Sequence, residues 1–72
     1  MSNNHISAIE QLKNRAKQGN AEACFELAEY YYAQEKYTEA FSWYQKTVAC
    51  KNPNPVAYFN IAYALQFGEG VD

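Results

Sequence analysis

Two apolar stripes joined by a very short connection constrain this chain most. Cys24, Leu27, Ala28 and Tyr31 recur at i, i+3, i+4 and i+7, which is one face of an α-helix. Tyr37, Ala40, Phe41, Tyr44 and Val48 form a second stripe at helical spacing. Ala33-Gln34-Glu35-Lys36 lies between them and is too short for anything but an antiparallel return. The core of the chain is therefore expected to be a helical hairpin.

The flanking segments read as further helices. Ile9, Leu12 and Ala16 give the first an apolar stripe, expected over about 6–18. Ser7-x-x-Glu10 fits a capping box at its start, with Asn4 as a rival cap, and Gly19 supplies its stop. Asn20 is the expected cap of the second helix, 21–33, and Thr38 that of the third, 37–50. Lys51-Asn52-Pro53-Asn54-Pro55 then breaks the chain. Asn54 followed by Pro55 reads as a cap with proline at the first helical position, opening a fourth helix over 55–67. Gly68-Glu69-Gly70 ends it. No segment alternates with period two for long, so the fold class is all-α.

Seventy-two residues make one small domain at most. Apolar residues are 49% of the chain and aromatics 17%, a composition that folds. The net charge of −2 argues against nucleic acid or an acidic membrane surface as a partner held by charge. The small basic group Lys13, Arg15 and Lys17 sits where cations complement a helix C-terminus. Nothing approaches membrane-spanning length, and no cationic start precedes a long apolar run. A cytoplasmic, reducing setting and no membrane insertion are the resulting expectations.

Self-comparison adds a repeat. A shift of 34 places Ala23, Leu27 and Ala28 on Ala57, Ile61 and Ala62, with Cys24 on Tyr58 and Tyr31 on Leu65. A shift of 32 places Ala8, Ile9, Leu12 and Ala16 on Ala40, Phe41, Tyr44 and Val48. Calling the unit helices A and B, the chain reads B–A–B–A. Ala28, Ala40 and Ala62 are the small residues expected to let neighbouring helices approach closely.

Three pieces then carry a family resemblance. Gly19-Asn20-Ala21-Glu22-Ala23 with Leu27-Ala28 and Tyr31 resembles the start of helix A in the Sel1-like repeat, a relative of the tetratricopeptide repeat. Ala40-Phe41-Ser42-Trp43-Tyr44-Gln45-Lys46-Thr47 resembles that family's A-x-x-W-Y-x-K-A in helix B. Ile61-Ala62 with Leu65-Gln66-Phe67-Gly68-Glu69-Gly70-Val71-Asp72 resembles L-G-x-x-Y-x-x-G-x-G-V. The sequence departs from the pattern where Ala28 and Ala62 replace the L-G glycine. The first hairpin also lacks the G-x-G-V loop, as in a tetratricopeptide repeat. The resemblance implies an α-α superhelix, a solenoid of hairpin repeats, with 1–72 forming a single partial domain of it.

Chemistry is hard to find in the sequence. His5 is the single histidine and lies near the end of the chain. Glu26 and Glu29 are spaced as on an ordinary solvated helix face, and Gly68 and Gly70 lack the lysine and helix a phosphate loop needs. No enzyme, no cofactor and no metal site is expected. Cys24 and Cys50 form no C-x-x-C. They fall at ends of the hairpin that an antiparallel return makes neighbours. Two small reduced thiols, close enough to bridge, are the expectation; some members of the resembled family staple each hairpin with a disulfide, which makes a Cys24–Cys50 bridge the alternative.

What remains is surface. Phe25, Glu29 and Tyr32 form a second face of the second helix, repeated in the fourth as Phe59, Tyr63 and Gln66. In the superhelix that the resemblance implies, this face is concave and is the candidate site for a protein or peptide partner. Filling gaps between hairpins is the competing reading of the same residues. The expected function is a protein–protein interaction scaffold. The alternatives are a self-assembling subunit or fragment of a longer array, and, more remotely, a secreted disulfide-stapled enzyme. The fourth helix is expected to pack on the third through Tyr58, Ile61, Ala62 and Leu65 along one side. A homodimer through that helix is then expected.

Overall fold

The computed structural model of the chain describes residues 7–70. It contains four α-helices: α1 Ala8–Lys17, α2 Ala21–Ala33, α3 Tyr37–Val48 and α4 Val56–Phe67. Among the described residues there is no strand. The helices pack in chain order, α1 on α2, α2 on α3, α3 on α4, and the molecule measures 47 × 26 × 16 Å. Asn4, His5, the start of the first helix at residue 6, and Val71-Asp72 lie outside the described residues.

Local chemistry explains most of the helix ends. Ser7 Oγ accepts from the Glu10 N–H at 3.1 Å, and Asn20 Oδ1 accepts from the Ala23 N–H at 2.8 Å. Each satisfies one donor that the first turn of a helix leaves unpaired. Gly19, at φ +89°, closes α1. Its N–H donates to Ala16 O at 3.0 Å, and the next N–H, from Asn20, donates to Arg15 O at 3.2 Å. That pair of bonds is the Schellman closure. The end of α2 repeats it without glycine: Glu35, at φ +61°, donates to Tyr32 O, and Lys36 donates to Tyr31 O, both at 2.9 Å. Asn54 Oδ1 accepts from the Val56 N–H at 2.9 Å, and Pro55 already holds helical φ and ψ.

Several expectations need correction here. Thr38 does not cap α3; the cap position is Lys36, which makes no side-chain capping bond, and Thr38 lies inside the helix. The third helix stops at Val48 rather than residue 50, because the Ala49 and Cys50 N–H groups turn back to Lys46 O and Thr47 O. The fourth begins at Val56 rather than Pro55, and the first ends at Lys17 rather than residue 18.

The core has two linked parts. Ala16, Ala23, Cys24 and Leu27 are buried together, with Ile9 and Leu12 packed against them. Ala28, Ala40, Tyr44 and Ala57 form the second part, with Phe25, Val48 and Ile61 around them. Tyr31 and Trp43 touch both. Thr47 is buried, and its hydroxyl donates to Trp43 O at 2.8 Å, so the one buried polar side chain among the described residues is satisfied.

The largest correction concerns α4. Its buried residues are Ala57 and Ala64, with Asn60 and Ile61 partly covered. Tyr58, Ala62 and Leu65 face water instead of α3. Where α4 meets the rest of the chain, Ala57 is buried with Ala40 and Tyr44 of α3, and Ile61 and Val48 pack beside them. Positions matched by the 34-residue shift thus agree in burial in some cases and not in others. Ala23 and Ala57 are both fully buried, whereas Ala28 is buried and its counterpart Ala62 is exposed. The difference follows from neighbours: α2 lies between α1 and α3, and α4 packs on one side only.

Candidate functional site

A cleft of about 360 Å³ is bounded by α2, α3, α4 and the loop after α4. Helical spacing builds it. From α2 come Glu29, Tyr32 and Ala33, at i, i+3 and i+4. From α3 come Tyr37, Ala40, Phe41 and Tyr44, at i, i+3, i+4 and i+7, and α4 adds Phe59, Asn60, Tyr63 and Ala64. Such spacing puts each set on one helix face. Ala33, Ala40 and Ala64 leave room where larger side chains would fill the space. Aromatic rings form the walls.

The rings are partnered with one another and remain open to solvent. Tyr32 and Tyr37 have centroids 5.2 Å apart, Phe59 and Tyr63 6.4 Å, and Tyr63 and Phe67 4.5 Å. Phe59 is 67% exposed. Tyr44 is the exception, buried at the base, with Phe25 edge-on to it at 5.9 Å. Burial, followed by the Glu29 carboxylate, pushes the Tyr44 phenol up to about 12, and Asn60 beside it opposes the shift.

The loop after α4 completes the cleft. Gly68, at φ +72°, ends the helix, and the Glu69 N–H donates to Ala64 O at 3.0 Å. Gly70 holds φ +81° against the start of α3, where an added Cβ would overlap the Tyr37 carbonyl. No other residue fits this approach. The result is that Glu69 hangs over the cleft, and its Oε1 accepts from the Tyr32 hydroxyl at 3.1 Å. Tyr32 and Tyr37 are both raised above the ordinary phenol value, first by desolvation, then by nearby carboxylates, Glu69 for Tyr32 and Glu35 before Glu69 for Tyr37.

Of the six residues predicted to bind a partner, Glu29, Tyr32, Phe59 and Tyr63 line this cleft. Phe25 does not; it packs on the core beside Tyr44 and borders a second cavity, of about 350 Å³, between the start of α2 and Asn52–Pro55. Gln66 is exposed on α4 and is not part of the lining. Sequence reasoning missed Tyr37, Phe41, Tyr44 and Asn60, having assigned the α3 stripe to the core. It also missed Glu69, which reaches the cleft only because of the two flanking glycines.

The two cysteines are free thiols, Cys24 buried and Cys50 partly so, with Sγ atoms 4.0 Å apart. Cys50 Sγ donates to Lys46 O at 3.2 Å. Burial, then the hydrogen bond with Cys50, pushes the Cys24 thiol up to about 11. A thiol raised in this way is a poor nucleophile. No group of three or more His, Cys, Asp and Glu side chains among the described residues is placed to hold a metal ion. No helix among them is long and apolar enough to cross a membrane. Comparison with protein-family models, curated proteins and solved structures finds no match for this chain.

Proposed function

We propose that the chain is a protein-interaction module of the Sel1-like and tetratricopeptide kind it resembles, and that a partner segment binds in the cleft bounded by α2, α3 and α4. The observation that carries the reading is the state of the aromatic rings. Tyr32, Phe59 and Tyr63 are 40%, 67% and 40% exposed around a cleft walled by three separate elements. Large exposed rings converging on a concavity are the usual anchors of a protein interface. Rings that served only to fill space between helices would be buried as Tyr44 is.

Selection from a displayed random-peptide library tests the reading. Peptides should be enriched on the intact chain and lost when Phe59→Ala and Tyr63→Ala are combined, with the helical spectrum unchanged. Enrichment that ignores both substitutions contradicts it.

A second reading, self-association through α4, rests on its other face. Tyr58 and Leu65 are 55% and 60% exposed there, away from the cleft. In this reading a second copy covers the face that α3 leaves open, and mass rises with concentration while the cleft stays free.

A further inference from the structure

The cleft has a charge as well as a shape. Among the described residues its charged lining groups are Glu29 and Glu69, with no lysine or arginine. Lys46, the basic residue in the last turn of α3, is committed elsewhere, with Nζ 4.6 Å above the Trp43 ring. The Tyr32 phenol donates to Glu69, whose charge also reaches Tyr37, and Tyr44 feels the charge of Glu29. Aromatic faces carry negative potential, and a carboxylate beside them adds to it. Ring walls with two carboxylates and no compensating cation make a site complementary to positive charge.

We propose that the cleft takes the guanidinium of an arginine on an extended partner segment. Tyr63 and Phe59 stack on its plane, and Glu29 and Glu69 accept its N–H groups. The inference rests on the cleft being the partner site. Arginine fits better than the other cations. Its planar group stacks on rings and presents five donors in a fixed fork, and it sheds water more readily than an ammonium does. A quaternary ammonium would suit the rings but has no N–H for the carboxylates. A carboxylate offers about four acceptor positions, so Glu69 can hold the Tyr32 hydroxyl and a guanidinium together. The Gly70 contact matters here, since it fixes the loop that places Glu69.

The test compares blocked peptides Gly-Gly-Arg-Gly-Gly, its citrulline counterpart, its lysine counterpart and its trimethyllysine counterpart by NMR titration of the intact chain. The arginine peptide should shift the resonances of Tyr32, Tyr37, Tyr63 and Glu69 saturably, and added salt should weaken it. Citrulline, which keeps the shape and loses the charge, should bind at least about ten-fold more weakly, the equivalent of roughly 1.4 kcal/mol. Glu29→Gln and Glu69→Gln are surface changes that keep the helical spectrum, and each should weaken arginine binding. Citrulline binding as well as arginine, shifts mapping outside the cleft, no saturable shift, or tighter binding of lysine or trimethyllysine would each overturn the arginine assignment. Cleft-dependent selection of neutral or acidic library peptides overturns it too, while leaving the interaction-module reading intact. Absence of any cleft-dependent peptide removes both.

Discussion

Glu35 occupies a left-handed conformation that the α2 terminus requires and that only glycine adopts without strain. Glu35→Gly should therefore raise stability by about 0.5–1 kcal/mol, read from urea unfolding. A loss of stability would mean that the Glu35 side chain contributes more than its backbone costs. Leu27 and Leu65 make the converse pair. Leu27 is fully buried and Leu65 is 60% exposed. Leu27→Ala should cost about 2–5 kcal/mol and Leu65→Ala under about 0.5 kcal/mol. Equal costs would place α4 wrongly. Two residues also set a pH dependence. Cys24 rises from an ordinary 9.0 to about 11, and Tyr44 from 10.0 to about 12. The unfolded chain ionises first in both cases, so their contribution is full below pH about 9 and is lost progressively up to about 12. The urea midpoint should fall across that range; a flat profile would contradict the burial of both groups. At this scale the ends at Ser7, Asn20 and Gly19 were legible in the sequence, since their side chains or freedom dictate their roles, whereas Thr38 has a capping side chain and lies inside α3. Glu35 was not, because nothing in a glutamate announces a positive φ.

Helix identity was equally legible, and which face each helix buries was legible for α1 and α2 and in part for α3, where Ala40 and Tyr44 are buried as expected but Tyr37 and Phe41 line the cleft. It failed for α4, which is apolar nearly all round. Val56, Tyr58, Phe59, Ile61, Tyr63, Leu65 and Phe67 leave no polar side to orient it. Size settled the matter instead: Ala57 and Ala64 are buried, Ala57 with Ala40 and Tyr44 of α3, and most of the large residues are left outside. Helices covered on one side should open first. Amide exchange is expected to be faster in α1 and α4 than in α2, which has neighbours on two sides. Protection in α4 equal to that in α2 would require a cover that this chain does not supply. The hairpin of α2 and α3 carries its own test. With Cys24 and Cys50 Sγ atoms 4.0 Å apart, diamide should give an intramolecular disulfide in dilute protein. Products that are only intermolecular would contradict the placement of those two helix ends.

The whole molecule is a row of four helices, all-α as its periodicity implied, with a cleft on one face and an apolar strip on α4. The cleft was half legible. Its α2 and α4 walls followed from the repeat, because Glu29, Tyr32, Phe59 and Tyr63 are related by helical spacing. Its α3 wall did not, since Tyr37, Phe41 and Tyr44 look like core in a hairpin taken alone and line a cleft only once α4 stands beside them. Phe25 shows the same effect in reverse: it shares a stripe with Tyr32, yet the Tyr44 ring draws it into the core. These two phenylalanines, matched in the repeat and separated by the fold, offer the most direct test that the cleft aromatics serve binding. Phe25→Ala and Phe59→Ala are compared side by side for thermal stability and for affinity toward a selected peptide. The account predicts that Phe25→Ala lowers stability by about 2–4 kcal/mol. Phe59→Ala should leave stability nearly unchanged and weaken the peptide by at least about 1 kcal/mol. A Phe59→Ala protein that loses stability and keeps its affinity would contradict it.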